Sequence, residues 1–332
     1  MEYTGIDAVV FGADDLKLAR RLFTDWGLRK VSDRRKELVF ATRIGSEVIV
    51  RAADTPGLPP RLEEGSQFRE VIFGLANRKA VDAIAENLAA DRAVQVDPDG
   101  TVHSVDDNGI AIGFRVWRHG LEKAEDGTAW NGPGHRGRLN TVGPVYEAAQ
   151  PFKMGHIVFS VPDTRVAEAF YRKRLGFFLS DRYVGGAGVF LRWAERSEHH
   201  NLFFAKSRTG KVDLHHIAFE VRDIHEVFGG GKAFVERGWK TEIGPGRHPI
   251  SSAYFWYFKN PLGGAIEYFC DPDHVDAGWT PNNYRVNRFS EWHLADGLGS
   301  GTDASALARP SLAAARAIEQ GTPVKLKRDQ TV

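Results

Sequence analysis

Two stretches of this chain, 148 residues apart, read almost alike: VFGADD at 10–15 and VFSVPD at 158–163. Each ends an apolar, strand-like run (IDAVVF, 6–11; the run at 155–161) and opens a helical one. In the first half Asp14 or Asp15 can cap a helix whose Leu18, Leu22 and Phe23 share a face, and Gly27 ends it. Strands are predicted at 37–42 and 46–51, then a Pro/Gly-rich turn at 55–60, a strand at 70–75, a helix near 79–90 and a strand near 109–117. The second half repeats the order. Asp163 or Thr164 caps a helix carrying Val166, Ala169, Phe170 and Leu175, ended by Gly176. Strands follow at 183–193, 201–206 and 214–221, then a helix near 224–237 and strands at 253–258 and 264–270. A βαβββ unit is too small to hide its own sheet, so such units must pair. The expectation is an α+β protein of four units in two halves, each half curling into a cupped sheet around a cavity.

The domain boundaries expected are 1–135, a linker at 136–150, 151–275, and a C-terminal extension at 276–332. The Gly- and Pro-containing, aperiodic stretch that marks the linker begins near 118. Alanine-rich helical patterning returns at 302–320, broken by Pro310.

A chain of 332 residues suffices for two domains, and 42% hydrophobic with 26% charged residues is the balance of a globular protein. A formal charge of +1 without a basic stripe argues against a nucleic-acid partner. No apolar run approaches the roughly 20 residues that span a bilayer. The N-terminal MEYTGIDAVVFGADD lacks the pattern of a secretory signal, and Cys270, the sole cysteine, rules out an internal disulfide framework. A cytoplasmic location, a small-molecule partner and a homo-oligomer are expected.

Three strand-like runs of the second half each carry a metal-capable side chain: MGHIVF (His156), DLHHIAFEV (His215, His216) and GGAIEYF (Glu267). Two neutral imidazoles and one carboxylate offset part of a dication's charge and leave one coordination face open. Strand alternation sends His215 and His216 to opposite faces. His216, which shares its face with Ala218 and Glu220, is taken as the ligand, with His215, on the apolar face of Ile217 and Phe219, as the alternative.

These runs, with GHIVFSVPDT, AFYRKRLGF, HHNLFF and GRHPISSAYFWYFKNPLGGAIEYF, resemble the catalytic module of type I extradiol catechol dioxygenases, in the vicinal oxygen chelate superfamily. The likeness covers about 150–270; the first half resembles only the superfamily module. The resemblance implies two tandem vicinal-oxygen-chelate (glyoxalase/bleomycin-resistance-like) domains. It implies Fe(II), with Mn(II) second to it, on His156, His216 and Glu267, and O2 opening a catechol beside its hydroxyls in aromatic-compound degradation. It also implies His200 as the acid/base group, Tyr257 as a donor to a substrate oxygen and His248 as a further site histidine. Ser252 stands where the family often has another polar or charged residue, which bears on substrate range. Phe190, Trp193 and Trp256 are candidates for the substrate pocket, with core packing the competing role. Arg192, Arg247 and Lys259 could meet a substrate carboxylate, against the plainer role of a solvated charge.

The first half lacks the triad: Ala8, Glu70 and Gly113 stand at the matching positions. Its expected role is to buttress. Other functions open to such a chain are a glyoxalase-like isomerase, a keto-acid dioxygenase and a metal-free binding protein.

Overall fold

The computed structural model describes residues 2–62, 66–120, 127–286, 288–295 and 297–298. The alanine-rich stretch at 302–320 lies outside them. The first half runs β1 (Tyr3–Ala13), α1 (Leu16–Asp25), β2 (Arg29–Arg34), β3 (Glu37–Ala41), β4 (Glu47–Ala52), β5 (Phe68–Leu75), α2 (Arg78–Ala89), β6 (Gln95–Val96), β7 (Val102–Val105) and β8 (Ala111–Val116). A short hairpin, β9 (Asn131–Gly132) and β10 (His135–Arg136), lies in the stretch between the halves. The second half runs β11 (Lys153–Val161), α3 (Thr164–Lys173), β12 (Phe178–Tyr183), β13 (Gly188–Arg192), β14 (Ser197–Glu198), β15 (Leu202–Lys206), β16 (Asp213–Glu220), α4 (Ile224–Glu236), β17 (Thr241–Arg247), β18 (Tyr254–Lys259) and β19 (Ala265–Cys270). Three short strands follow: β20 (His274–Val275), β21 (Asn282–Tyr284) and β22 (Trp292–His293).

The two halves are the same βαβββ pairing used twice. The first sheet is ordered β2-β3-β4-β1-β5-β8-β7-β6 and the second β21-β12-β13-β15-β11-β16-β19-β18-β17-β22. At the centre of each, the opening strand is antiparallel to its counterpart in the next unit, β1 to β5 and β11 to β16. Each of those strands then pairs in parallel with a later one.

Local chemistry sets the helices. Asp15 caps α1, its carboxylate accepting from the amides of Lys17 and Leu18, while Ala19, Leu22 and Phe23 are buried. Asp163, rather than Thr164, caps α3 by accepting from the Arg165 amide. The strand expected at 183–193 begins only at Gly188, and β12, which ends at Tyr183, was not anticipated. Gly185 and Gly186, both at positive φ, turn the chain between β12 and β13. β17 and the three strands after Cys270 carry no clear periodicity and were not anticipated. Two of them, β21 and β22, form the outer edges of the second sheet, so the start of the extension belongs to that half.

The helices and the convex faces of both sheets share one apolar core. At its centre the Trp26 indole lies flat on Tyr268 (3.6 Å between ring centroids, 11° between planes), and the Tyr268 hydroxyl donates to the Trp26 carbonyl. Phe219, Phe234 and Phe258 meet the same indole edge-on. The first half is thus fastened through its core to the strands that hold the second half's site.

Candidate metal centre

Two β-bulges place the site histidines. In β11, Met154 faces Phe219 and His156 faces Ala218, so Gly155 is the extra residue. A Cβ on Gly155 would collide with the Phe269 ring, which instead lies 4.9 Å from the His156 imidazole. In β16, Leu214 pairs with Phe159 and His216 with Val158, leaving His215 as the extra residue. A bulge breaks strict alternation. His215 and His216 therefore do not take opposite faces: their Nδ1 atoms are 2.7 Å apart and both rings line the cavity.

Register then assembles the three ligating groups. His156 pairs with Ala218, and Ala218 pairs with Glu267. The two residues thus sit two strands apart, about 10 Å by backbone spacing, and reach toward each other over a methyl group. His216 lies one pleat along the same face. His156 Nε2 is 3.2 Å and His216 Nε2 3.4 Å from Glu267 Oε2, and the ligating atoms all lie within 4.8 Å of one another.

These residues fit a divalent cation on their own chemistry. Glu267 is 0% exposed, yet neither carboxylate oxygen has a partner in hydrogen-bond geometry, nor does His216 Nε2. A buried, unpartnered carboxylate is costly, and a cation between these atoms removes the cost. Burial pushes the Glu267 carboxyl upward, but His156, His248 and His216 overcome it and hold the group well below the usual carboxylate range. Burial keeps His216 well below the usual imidazole range, hence neutral and free to ligate. Among the described residues no other group of three is arranged this way.

The triad opens onto a cavity of about 340 Å³ whose lining includes Phe190, Phe203, Ile250, His200, His248 and Tyr257. Tyr257 pairs with Glu267 across β18 and β19. His248 Nδ1 must donate, because its partner is the Phe289 carbonyl. Its Nε2 can then accept from the Tyr257 hydroxyl at 3.1 Å. Burial and the Glu267 charge raise the Tyr257 phenol well above its usual value, keeping the O–H intact. His200 packs 4.5 Å from His156 and 5.1 Å from Phe190, ring to ring. Burial, then the surrounding histidines, hold it well below the usual imidazole range.

Three pocket candidates from the sequence lie elsewhere. Trp256 is on the convex face of β18, 1% exposed, donating to Thr241 Oγ1. Trp193 packs against the same core. Ser252 takes a positive φ of 59°, and its neighbour Ser251 lines the cavity in its place. Arg192 is spent on the Leu179 carbonyl and Ser180, and Arg247 pairs with Glu291. Lys259 is exposed and outside the lining. The cationic lining comes from Arg285 and Arg288, beside Tyr284 and Phe289, all in the extension. Its lack of periodicity hid them.

In the first half Glu70 hydrogen-bonds His103 at 2.7 Å, above Gly113, and the bulge residue Asp7 pairs with Arg115. Those two replace Gly155 and Phe269. Ala8, Val10, Ile49 and Ile72 cluster in the cup.

Residues 153–275 match the glyoxalase/bleomycin resistance protein/dioxygenase superfamily. The chain is 35% identical over 128 residues to metapyrocatechase 2 of Cupriavidus necator, covering 39% of each chain. It thus spans well under half the length of that curated relative. Its fold resembles that of a Mn(II)-bound glyoxalase from Novosphingobium aromaticivorans (TM-score 0.70, 21% identity, covering 89% of this chain and 92% of the other). It also resembles a halotolerant catechol dioxygenase (TM-score 0.68, 19% identity, covering 90% and 95%). Both share the two-half architecture with this chain over most of its length. No helix among the described residues is long and apolar enough to cross a membrane.

Proposed function

We propose that the protein is an extradiol dioxygenase that opens a catechol with O2 at an Fe(II) held by His156, His216 and Glu267. The observation that carries this reading is the buried triad facing an apolar cavity whose walls bring His200, His248 and Tyr257 to one place. The relative named as a metapyrocatechase supports it, since its likeness falls on the half that holds the triad. A bound Fe(II) supplies Lewis acidity toward the catechol oxygens, a path for electrons between ring and O2, and an open face for both. Mn(II) suits the same donors, and the redox demand favours iron.

The side chains divide the remaining work. Phe190, Phe203 and Ile250 give the ring apolar walls and keep bulk water out. His200, neutral at rest, takes a proton from the substrate hydroxyl and returns it to the oxygen that leaves the O–O bond, worth about 10²–10⁴-fold. Tyr257 keeps its proton, donating it to His248 Nε2 at rest and turning it to a substrate oxygen when the catechol binds. His156, His200, His216, His248 and Tyr257 all come from the second half, which leaves the first half the role of a buttress.

The test is O2 uptake by anaerobically Fe(II)-loaded protein offered catechol, 3-methylcatechol, 2,3-dihydroxybiphenyl and protocatechuate. Uptake with a coloured ring-fission product, lost in His156→Ala, is the expected result. Iron bound without uptake moves the substrate to keto acids. Failure to bind iron ends the enzyme reading in favour of a binding protein.

A further inference from the structure

Behind His200 lies a chain of buried polar groups that the reaction outlined above does not use. His199, 1% exposed, places Nε2 2.9 Å from Asp181 Oδ2 and Nδ1 3.1 Å from His200 Nδ1. Asp181 is 0% exposed, and its other oxygen, Oδ1, accepts from the Asn282 amide at 2.6 Å and from Asn282 Nδ2 at 3.2 Å. Trp279 closes over His199 (5.5 Å, edge to face) and donates from Nε1 to the Ser180 carbonyl.

We propose that Asp181 and His199 are positioning residues that fix the tautomer of His200, leaving its Nε2 as a bare acceptor toward the cavity. This rests on the reading of His200 as the acid/base group. As a carboxylate, Asp181 accepts at both ends, from Asn282 on Oδ1 and from His199 on Oδ2. His199 must then donate from Nε2. In a neutral ring its Nδ1 is the acceptor, so His200 donates from Nδ1 and carries its lone pair on Nε2. When substrate O–H breaks and Nε2–H forms, the new imidazolium stays hydrogen-bonded to His199. The Asp181 charge stands one ring beyond. Returning the proton breaks Nε2–H and restores the starting arrangement. Neither Asp181 nor His199 is in the cavity lining, so neither touches the substrate.

Asp181→Asn inverts the chain without changing its shape. The Asn282 donors hold the amide oxygen where Oδ1 was and turn the NH2 toward His199. His199 then donates from Nδ1, and His200 is left with its proton on Nε2. In nitrogen-15 histidine spectra of the metal-free protein, assigned against His200→Gln, wild type should show His200 protonated at Nδ1 and Asp181→Asn at Nε2. In the iron-loaded enzyme kcat should fall about 10²-fold or more, with KM and iron stoichiometry unchanged. The same His200 tautomer in both proteins, or an undiminished kcat, overturns the proposal. If Asp181→Asn does not fold, His199→Phe carries the test, since its ring keeps the packing on Phe190 and Trp279 but offers no acceptor. A fall in kcat of about tenfold or more at constant KM supports the relay, and wild-type kcat overturns it. Absence of O2 uptake by wild type with every catechol would sink the catechol reading and leave the tautomer spectra to decide the relay.

Discussion

Ala218 sets the space at the centre of this site. It lies between His156 and Glu267 in register, and its methyl group leaves the space in which their ligating atoms meet. Ala218→Leu should fill that space at about 1–3 kcal/mol of overpacking. Divalent metal stoichiometry should collapse while far-UV circular dichroism is kept. Retention of tight metal binding would show that the space is not needed. A second residue-scale effect concerns Glu220, which shares the partly buried Lys153 ammonium with Glu198. Burial, then the Glu198 charge, raises the Glu220 carboxyl from the usual 4.5 to about 7. A raised carboxyl favours the protonated fold, so the stability it confers is full at low pH and is lost as pH rises from about 4.5 through about 7. Glu220→Gln should flatten the urea-midpoint profile across that window. An unchanged slope would contradict the assignment.

At the scale of elements, the bulges in β11 and β16 do what alternation cannot. They let two neighbouring histidines of β16 reach the cavity together, and they seat His156 on Phe269 through a glycine with no room for a Cβ. Gly155→Ala should displace the Phe269 ring and His156 with it. The expected cost is about 1–3 kcal/mol, with metal affinity lowered at least tenfold by titration. The segment around β21 acts in a different way. It supplies Tyr284 and Phe289 as cavity wall and the Phe289 carbonyl that orients His248. Phe289→Ala removes wall and keeps the carbonyl, so KM should rise with kcat little changed, the signature of lost uniform binding. A fall in kcat alone would assign Phe289 a different role.

For the molecule as a whole, the first half acts through packing. Trp26 is fully buried against Tyr268 and three phenylalanines of the second half. Trp26→Ala should cost about 3–5 kcal/mol and separate the unfolding of the halves. Denaturation followed by near-ultraviolet circular dichroism and by metal release would show two transitions in place of one. The repeat, the alternation of strands and helices along each half and, to within one residue, the caps of α1 and α3 were legible in the sequence, because each rests on local spacing and on side chains a few residues apart. The three metal-capable residues were legible for the same reason, each standing out on an apolar strand. Which face His215 takes was not, since a bulge leaves no mark on an alternating pattern. Nor was the His199–Asp181–Asn282 chain, whose partners are 18 and 101 residues apart. Nor was the cavity wall donated by an aperiodic extension. The sequence by itself determined a duplicated βαβββ protein with its metal-capable residues in one half. The tertiary structure decided how those residues converge and what fixes the groups around them, because hydrogen bonds and packing between distant segments are set by register and burial and not by local propensity.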